Sequence, residues 1–299
     1  MAKASFQNAV AVITGGGSGM GRSLCLRLAA EGATVVVADI DVSRAESVVS
    51  EVTTAGGTAR AIRVDVSKEQ DVWRLIQSVV SEFGRIDYQF NNAGIALFGD
   101  ARDLTIEQWR RVLDVNLYGA LHGTVIAYPV MVRQGFGHIV NVASSAGLTP
   151  APTEAAYCTS KYAVVGMSLS LRVEGADLGV RVSVVCPGYV RTSMFQAATV
   201  VNIPAEKRGA MTPHEVADKS REAPIILNPR RAMGSSKAAA TILEGVRRNR
   251  PVIAFPADVR IGWYLYRISP RLMDRMLMVA ARDFRKYRGA SQAGLADSG

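Results

Sequence analysis

Cysteine is scarce in this chain: three in 299 residues, at Cys25, Cys158 and Cys186. Each lies in an apolar or helical stretch, and no two share a paired spacing. A disulfide framework or a metal site is therefore not expected, and a reducing compartment fits better. Long hydrophobic runs are also missing. None approaches the roughly 18 residues of a spanning helix, so no membrane-crossing helix is expected. The first residues, MAKASFQNAVAVITG, lack a charged segment followed by a long apolar run and a small-residue cleavage site. No signal peptide is read there, and a cytoplasmic location is expected. Net charge is nearly missing from most of the chain despite a formal total of +9. Residues 1–244 carry only a net +2, whereas residues 245–288 hold eleven Lys/Arg against Asp258, Asp274 and Asp283. A nucleic-acid binder spreads its basic residues along a face of the whole domain. This distribution does not, and no nucleic-acid partner is expected.

Apolar material is plentiful. Hydrophobic residues make up 48% of the chain, enough for one large core. Short β-rich runs alternate with helical patterns, the mark of βαβ units and a parallel sheet. Seven strands are predicted at Ala9–Thr14, Thr34–Asp39, Ala59–Val64, Ile86–Asn91, His138–Val142, Arg181–Cys186 and Pro251–Phe255. Most are nearly continuous Val, Ile and Ala, as when helices cover both faces of a sheet. Helix starts are predicted where Ser67 precedes Gln70, Thr105 precedes Gln108, and Thr212 precedes Pro213 and Glu215. The stretch 192–235 is too long for an ordinary connection and reads as a binding loop.

After the first strand come Gly15, Gly16, Gly17, Ser18, Gly19, Met20 and Gly21, then the helical run Arg22–Glu31. Glycines let backbone approach a pyrophosphate closely, and the helix start offers free N–H groups and a positive dipole end. A tight strand-to-helix turn is the plain alternative. Here the cluster opens a βαβ unit, and Asp39 ends the next strand 18 residues after Gly21. A carboxylate there accepts from adenosine ribose hydroxyls and repels a 2′-phosphate. Ser18 and Ile40 are uncharged and Asp41 adds negative charge, so NAD is favoured over NADP.

Tyr157 and Lys161 stand four residues apart at the start of a helical stretch, which puts phenol and ammonium on one face. A phenol near pKa ~10 is a poor base at neutral pH, and a nearby cation favours the phenolate. Ser144 lies 13 residues earlier, just past a strand, where its hydroxyl can hold the reacting oxygen near the tyrosine. Adjacent Ser145 is the rival, and the spacing favours Ser144.

The glycine loop, Asp65-Val66, Asn91-Asn92-Ala93-Gly94, Asn116, Ser144 to Gly147, Tyr157-x-x-Ser160-Lys161 and Pro187-Gly188 together resemble the motif series of the single-domain short-chain dehydrogenase/reductase family, in its order and spacing. The resemblance covers about residues 6–255. It implies a doubly wound, Rossmann-type α/β fold with a seven-stranded parallel sheet. It further implies that Tyr157 exchanges a proton with the substrate oxygen and that Lys161 lowers its pKa and holds the nicotinamide ribose. Ser144 orients the carbonyl, and Asn116 keeps a helix break that seats a relay water. Asp65 and Val66 border the adenine, Asn92, Ala93 and Gly94 line the adenosine ribose side, and Pro187, Gly188, Val190 and Thr192 cover the nicotinamide. Asn91 is read as structural.

The chain departs from the family by continuing more than 40 residues past the seventh strand. Ser269-Pro270 gives a cap and a first helical position. Leu272, Met273, Met276, Leu277, Ala280, Phe284 and Tyr287 then recur at helical spacing beside Arg271, Arg275, Arg282, Arg285 and Lys286. Trp263, Tyr264, Leu265 and Tyr266 form an aromatic cluster upstream. The helix is expected to pack on its own subunit or a partner with a solvated basic face, with peripheral contact to an anionic membrane through 258–288 as the alternative. The expected layout is a nucleotide-binding and catalytic domain over 1–257, a basic helical extension over 258–288, and a disordered tail over 289–299. The function read here is NAD-dependent interconversion of an alcohol and a ketone or aldehyde by a homodimer or homotetramer. Residues such as Met194, Phe195, Val200, Val201, Ile203, Met211 and Ile225 to Leu227 favour a hydrophobic substrate. The rivals are an NADP-dependent carbonyl reductase, a nucleotide-sensing protein without catalysis, and a dehydratase or epimerase.

Overall fold

A computed structural model describes residues 6–202 and 232–286. Its centre is a parallel sheet of seven strands: β1 (Val10–Thr14), β2 (Thr34–Asp39), β3 (Thr58–Arg63), β4 (Tyr88–Asn91), β5 (Gly137–Val142), β6 (Val180–Pro187) and β7 (Val252–Phe255). Their order across the sheet is 7-6-5-4-1-2-3, with every pairing parallel. The order reverses between β1 and β4, and the crevice outside the carboxyl ends of such strands is where open α/β sheets take their ligands. β1 and β4 are buried throughout because helices cover both faces. β3, at the edge, is only partly buried and carries Arg60 and Arg63.

The helices are α1 (Gly19–Ala30), α2 (Val42–Thr54), α3 (Glu69–Phe83), α4 (Ile106–Leu113), α5 (Gly119–Gln134), α6 (Ala155–Glu174), α7 (Ser235–Arg247), α8 (Ala257–Ile268) and α9 (Pro270–Lys286). One apolar cluster joins α1, α2 and α7 to one face of the sheet. A second joins α3 and α5 to the other.

Two details correct the sequence reading. Ser67 does not cap α3: Lys68 takes that position, and the Ser67 hydroxyl donates instead to Asp65 Oδ1 at 2.6 Å. The open helix end presents N–H donors, and Ser67 instead directs both its N–H and its hydroxyl proton to the Asp65 carboxylate two residues back. β4 begins at Tyr88 rather than Ile86, because the Ile86 N–H and C=O are both taken by the Gln134 side chain. The Thr105–Gln108 capping box forms in full, with bonds of 3.2 and 2.9 Å. The start at Thr212 lies outside the described residues, as does the tail from 289.

α4 runs into α5 through a π-helical turn, Asp114–Tyr118. The combined run Ile106–Gln134 is long and apolar enough to cross a membrane by length and composition. Its apolar side is spent on the sheet and α3 instead: Ala127, Val130 and Met131 sit in the second cluster.

Candidate active site

The loop after β1 is built for close approach. A Cβ on Gly21 would lie 2.0 Å from the Gly15 carbonyl oxygen, and Gly19 adopts φ +53° with Thr192 directly over it. Side chains at either position would fill the cradle that a pyrophosphate needs. Asp39, at the end of β2, accepts from the Gly17 N–H at 2.9 Å through one oxygen and from the Asp41 N–H at 3.0 Å through the other. Its carboxylate thus holds the glycine loop in place while keeping further lone pairs for a ligand. Ile40 beside it is exposed. Arg44, which no motif pointed to, packs against Gly17 and is ion-paired to Asp41 at 3.0 Å.

At the end of β4, Asn92 Nδ2 donates to the Thr14 and Gly15 carbonyls at 2.9 and 3.2 Å. The Thr14 hydroxyl accepts from the Asn92 and Ala93 N–H groups at 3.1 and 3.2 Å. The two loops flanking the strand-order reversal are therefore one hydrogen-bonded unit. Asp65 accepts from Ser67, and the Val66 carbonyl lies 3.0 Å from His122 Nδ1. Asn91 belongs to a buried chain of amides and hydroxyls behind the site. It bonds Gln89, Thr124 and Asn141, and Asn141 donates on to Ser168. Sequence inspection flagged only Asn91, since the others carry no motif.

Tyr157, Ser160 and Lys161 fall on the buried face of α6. The Ser160 hydroxyl donates to the Tyr157 carbonyl at 2.6 Å and accepts from Asn116 at 3.4 Å. Asn116 also clamps the Ile95 backbone with bonds of 2.8 and 3.0 Å. It stands in the π turn, so the helix widens here by one residue and is not broken. Lys161 Nζ donates to the Val142 carbonyl at 3.0 Å and stands near Gly94, 5.4 Å from the Tyr157 ring centre. Ser144 hydrogen-bonds Tyr157 and accepts from the Ala146 N–H. Ser145, its rival, turns its carbonyl into the following turn.

Electrostatically the site is dominated by burial. Burial pushes the Tyr157 phenol well above its ordinary range, nearby Glu154 adds to that, and the Ser144 hydrogen bond works against it. Lys161 is itself buried beside the phenol. Burial lowers its own pKa to about 8. Glu154, one turn before Tyr157, is pushed up to about 8 by burial. Tyr189, between Gly188 and Val190, is raised by burial, by Glu154 and by Tyr157. Neither Glu154 nor Tyr189 sits in a motif, and only the folded chain shows them beside Tyr157.

The loop after β6 is held from two sides. The Gly188 N–H donates to the Phe255 carbonyl at 2.8 Å, and Val259 of α8 leaves no room for a side chain on Gly188. Val190–Arg191 pairs in parallel with Met233–Gly234. Around Tyr157 the wall is apolar: Leu97, Val112, Ala146 and Ala156 are buried, with Trp109 and Val201 against them. Val200 pairs with Phe98. Met194 is half-buried. The Phe195 side chain and Ile203, Met211 and Ile225 to Leu227 lie outside the described residues.

A family model described as short chain dehydrogenase matches residues 9–200. The chain belongs to the short-chain dehydrogenase/reductase family. A cyclohexanol dehydrogenase of Acinetobacter sp. (strain SE19) is 39% identical over 217 residues, covering 71% of this chain and 86% of that one. A putative oxidoreductase of Mycobacterium tuberculosis (strain ATCC 25618 / H37Rv), SadH, is 32% identical over 94% of this chain and 98% of its own. EphD, a probable oxidoreductase of the same strain, is 34% identical over 93% of this chain, which spans only 45% of EphD. Matches that long run into the residues after β7, so the extension is shared with these relatives. Among solved structures, a short-chain dehydrogenase/reductase of Burkholderia phymatum in complex with NAD superposes with a TM-score of 0.77 at 29% identity, covering 90% of this chain and 96% of that one. The chain is thus an oxidoreductase-family member with the fold and loop of a nicotinamide-cofactor site.

Proposed function

We propose that this protein is an NAD-dependent dehydrogenase/reductase that interconverts a hydrophobic alcohol and its carbonyl compound, with Tyr157 as general acid/base. The observation that carries the reading is the Tyr157 hydroxyl: buried, hydrogen-bonded to Ser144, one helical turn from Lys161, and walled by apolar side chains. The glycine cradle, Asp39, Asn92 to Gly94 and the segment Pro187 to Thr192 would hold the cofactor, with Asp65 and Val66 at its adenine end. When bound, the nicotinamide supplies the two-electron acceptor or donor. Tyr157 Oη takes the hydroxyl proton as the C–O bond of an alcohol becomes C=O, and returns it in the reverse direction. Ser144 Oγ holds the substrate oxygen, and Asn116 fixes the π turn behind Lys161. A hydrophobic substrate follows from the wall around Tyr157. The cyclohexanol dehydrogenase relative, and a levodione reductase that superposes with a TM-score of 0.69 at 27% identity, agree with a cyclic alcohol or ketone.

Absorbance of the reduced cofactor, followed over a panel of cyclic and aliphatic alcohols, tests the reading. Turnover is expected with NAD, and Tyr157→Phe is expected to bind cofactor normally while losing about 10²–10⁴-fold in kcat. Cofactor binding with no turnover on any alcohol or ketone would make the chain a nucleotide-sensing protein instead.

One observation favours a second reading. The Arg44 side chain leaves α2 with its Cβ against Gly17, beside Asp39, and a guanidinium reaching out from this helix start suits a 2′-phosphate. Its ion pair with Asp41 answers that charge, so NAD remains the proposal. Calorimetry decides between them: NAD should bind much more tightly than NADP, and Asp39→Ala should narrow the gap. Equal affinities in the unaltered protein would remove the NAD assignment.

A further inference from the structure

The sequence leaves open whether the apolar side of α9 packs on its own subunit, on a partner or on a membrane. That side is already used: Met273, Leu277 and Phe284 are buried within the chain, and Arg285 donates to the buried Asp100 at 2.8 Å. Among the described residues, the unpartnered apolar face belongs to α8. A surface helix with one neighbour needs one apolar stripe. α8 has two. Val259 and Gly262 are buried, Trp263 packs into the cluster formed with Val184 and Cys186, and Tyr266 lines a groove with Ala155 and Tyr162. On the opposite side Ile261, Tyr264, Leu265 and Ile268 recur at i, i+3, i+4 and i+7, with exposures of 56%, 59%, 41% and 81%. Only Ser269 separates this stripe from α9, whose first turn adds exposed Leu272.

Charge identifies what covers it. Among the described residues, Arg260, Arg271, Arg275 and Arg282 are exposed without an ion-pair partner, and the segment 245–288 carries a net +8. A second copy placed face to face would set one arginine group against the other, which is unfavourable. An anionic lipid surface answers both features, since headgroups pair with the arginines while Ile261, Tyr264, Leu265 and Ile268 enter the acyl boundary. We infer that α8 and the start of α9 form a docking surface for anionic membranes, with the exposed stripe of α8 as the inserted edge. This would place the catalytic domain at the boundary where hydrophobic alcohols partition, but the inference stands on the surface alone.

The test is co-sedimentation of the full chain with vesicles of phosphatidylglycerol and phosphatidylcholine, against vesicles of phosphatidylcholine only, at low and high salt. Binding is expected only with phosphatidylglycerol, and should weaken sharply as salt rises from ~0.1 M to ~1 M and the screening length falls from about 10 to about 3 Å. Tyr264→Asp with Ile268→Asp should reduce it more than about tenfold, as should Arg271→Glu with Arg275→Glu. Both double variants alter exposed positions outside the cofactor site, so NAD affinity and melting temperature should hold and report an intact fold. Absence of binding to phosphatidylglycerol at low salt overturns the inference. So does binding that neither double variant weakens. A sedimentation velocity experiment in which the Tyr264/Ile268 variant alone becomes a smaller species overturns it too, by assigning the stripe to a second copy.

Discussion

Glu154 faces Tyr157 with no cation among the described residues to answer its charge, and burial raises it to about 8. Below that pH it is a neutral carboxylic acid beside the substrate site. Above it, a carboxylate forms next to a phenol that must itself ionise to act as base, and like charges oppose each other. Glu154→Gln keeps the shape and removes the second charge. The rise of kcat/KM for alcohol oxidation with pH should therefore move to lower pH by roughly 0.5–1 unit in that variant. Superimposable profiles would show that Glu154 does not sense the reacting proton. Its spacing from Tyr157 is local, but no motif marks it, and its burial and its nearness to Tyr189 arise only when the loop after β6 comes up to the start of α6. Tyr157, Lys161 and the glycine loop were legible because motifs mark them. Their geometry is local, fixed by a helix turn or by a strand-to-helix corner. Arg44 is intermediate: it is local to Asp41, but its approach to Gly17 depends on how α2 packs beside the loop.

At the scale of elements, the seven strands and the Thr105 start of α4 could be read because their signals are short-range: apolar runs, a Thr–Gln capping box, a Gly after a strand. Boundaries slipped where a distant side chain took over backbone partners, as Gln134 does at Ile86. The π turn at Asn116 was not legible, since it arises where one helix must serve both the Ile95 loop and the sheet. The extension was legible as helical and basic, but not in its orientation. Periodicity marked the apolar side of α9 and could not say what it meets, while α8 was seen only as an aromatic cluster. The buried side of α9 leads to a prediction. Phe284 is 6% exposed and Arg285 anchors the next position on Asp100, whose carboxyl the Arg102 and Arg285 guanidiniums hold well below the usual range. Phe284→Ala should cost about 3 kcal/mol and lower the melting temperature by several degrees. An unchanged melt, with faster hydrogen exchange confined to α9, would mean that the helix detaches as its own unit and adds nothing to the stability of the domain.

For the whole molecule, the site is held at a cost in stability, and pH exposes that cost. Lys161 is 4% exposed and its pKa falls from 10.5 to about 8 on burial. A depressed folded pKa means that the native chain releases the proton before the unfolded chain does. Its contribution is therefore neutral above about 10.5, becomes unfavourable as pH falls from there to about 8, and is constant below. The shift corresponds to roughly 3 kcal/mol of penalty at neutral pH. Lys161→Met removes the charge and also the bond to the Val142 carbonyl, which recovers part of the difference. The pH dependence isolates the charge, because the lost bond is absent from the variant at every pH while the charge titrates only in the parent. Melting temperatures of parent and Lys161→Met, measured from pH 7 to pH 10.5, should move relative to each other. The variant should stand highest against the parent at or below pH 8 and lose that advantage steadily toward pH 10.5, with turnover absent throughout. A constant difference across that range would mean that Lys161 is solvated well enough to keep its ordinary pKa. The buried ammonium beside Tyr157 would then need a different account, with ordered solvent reaching the back of the site.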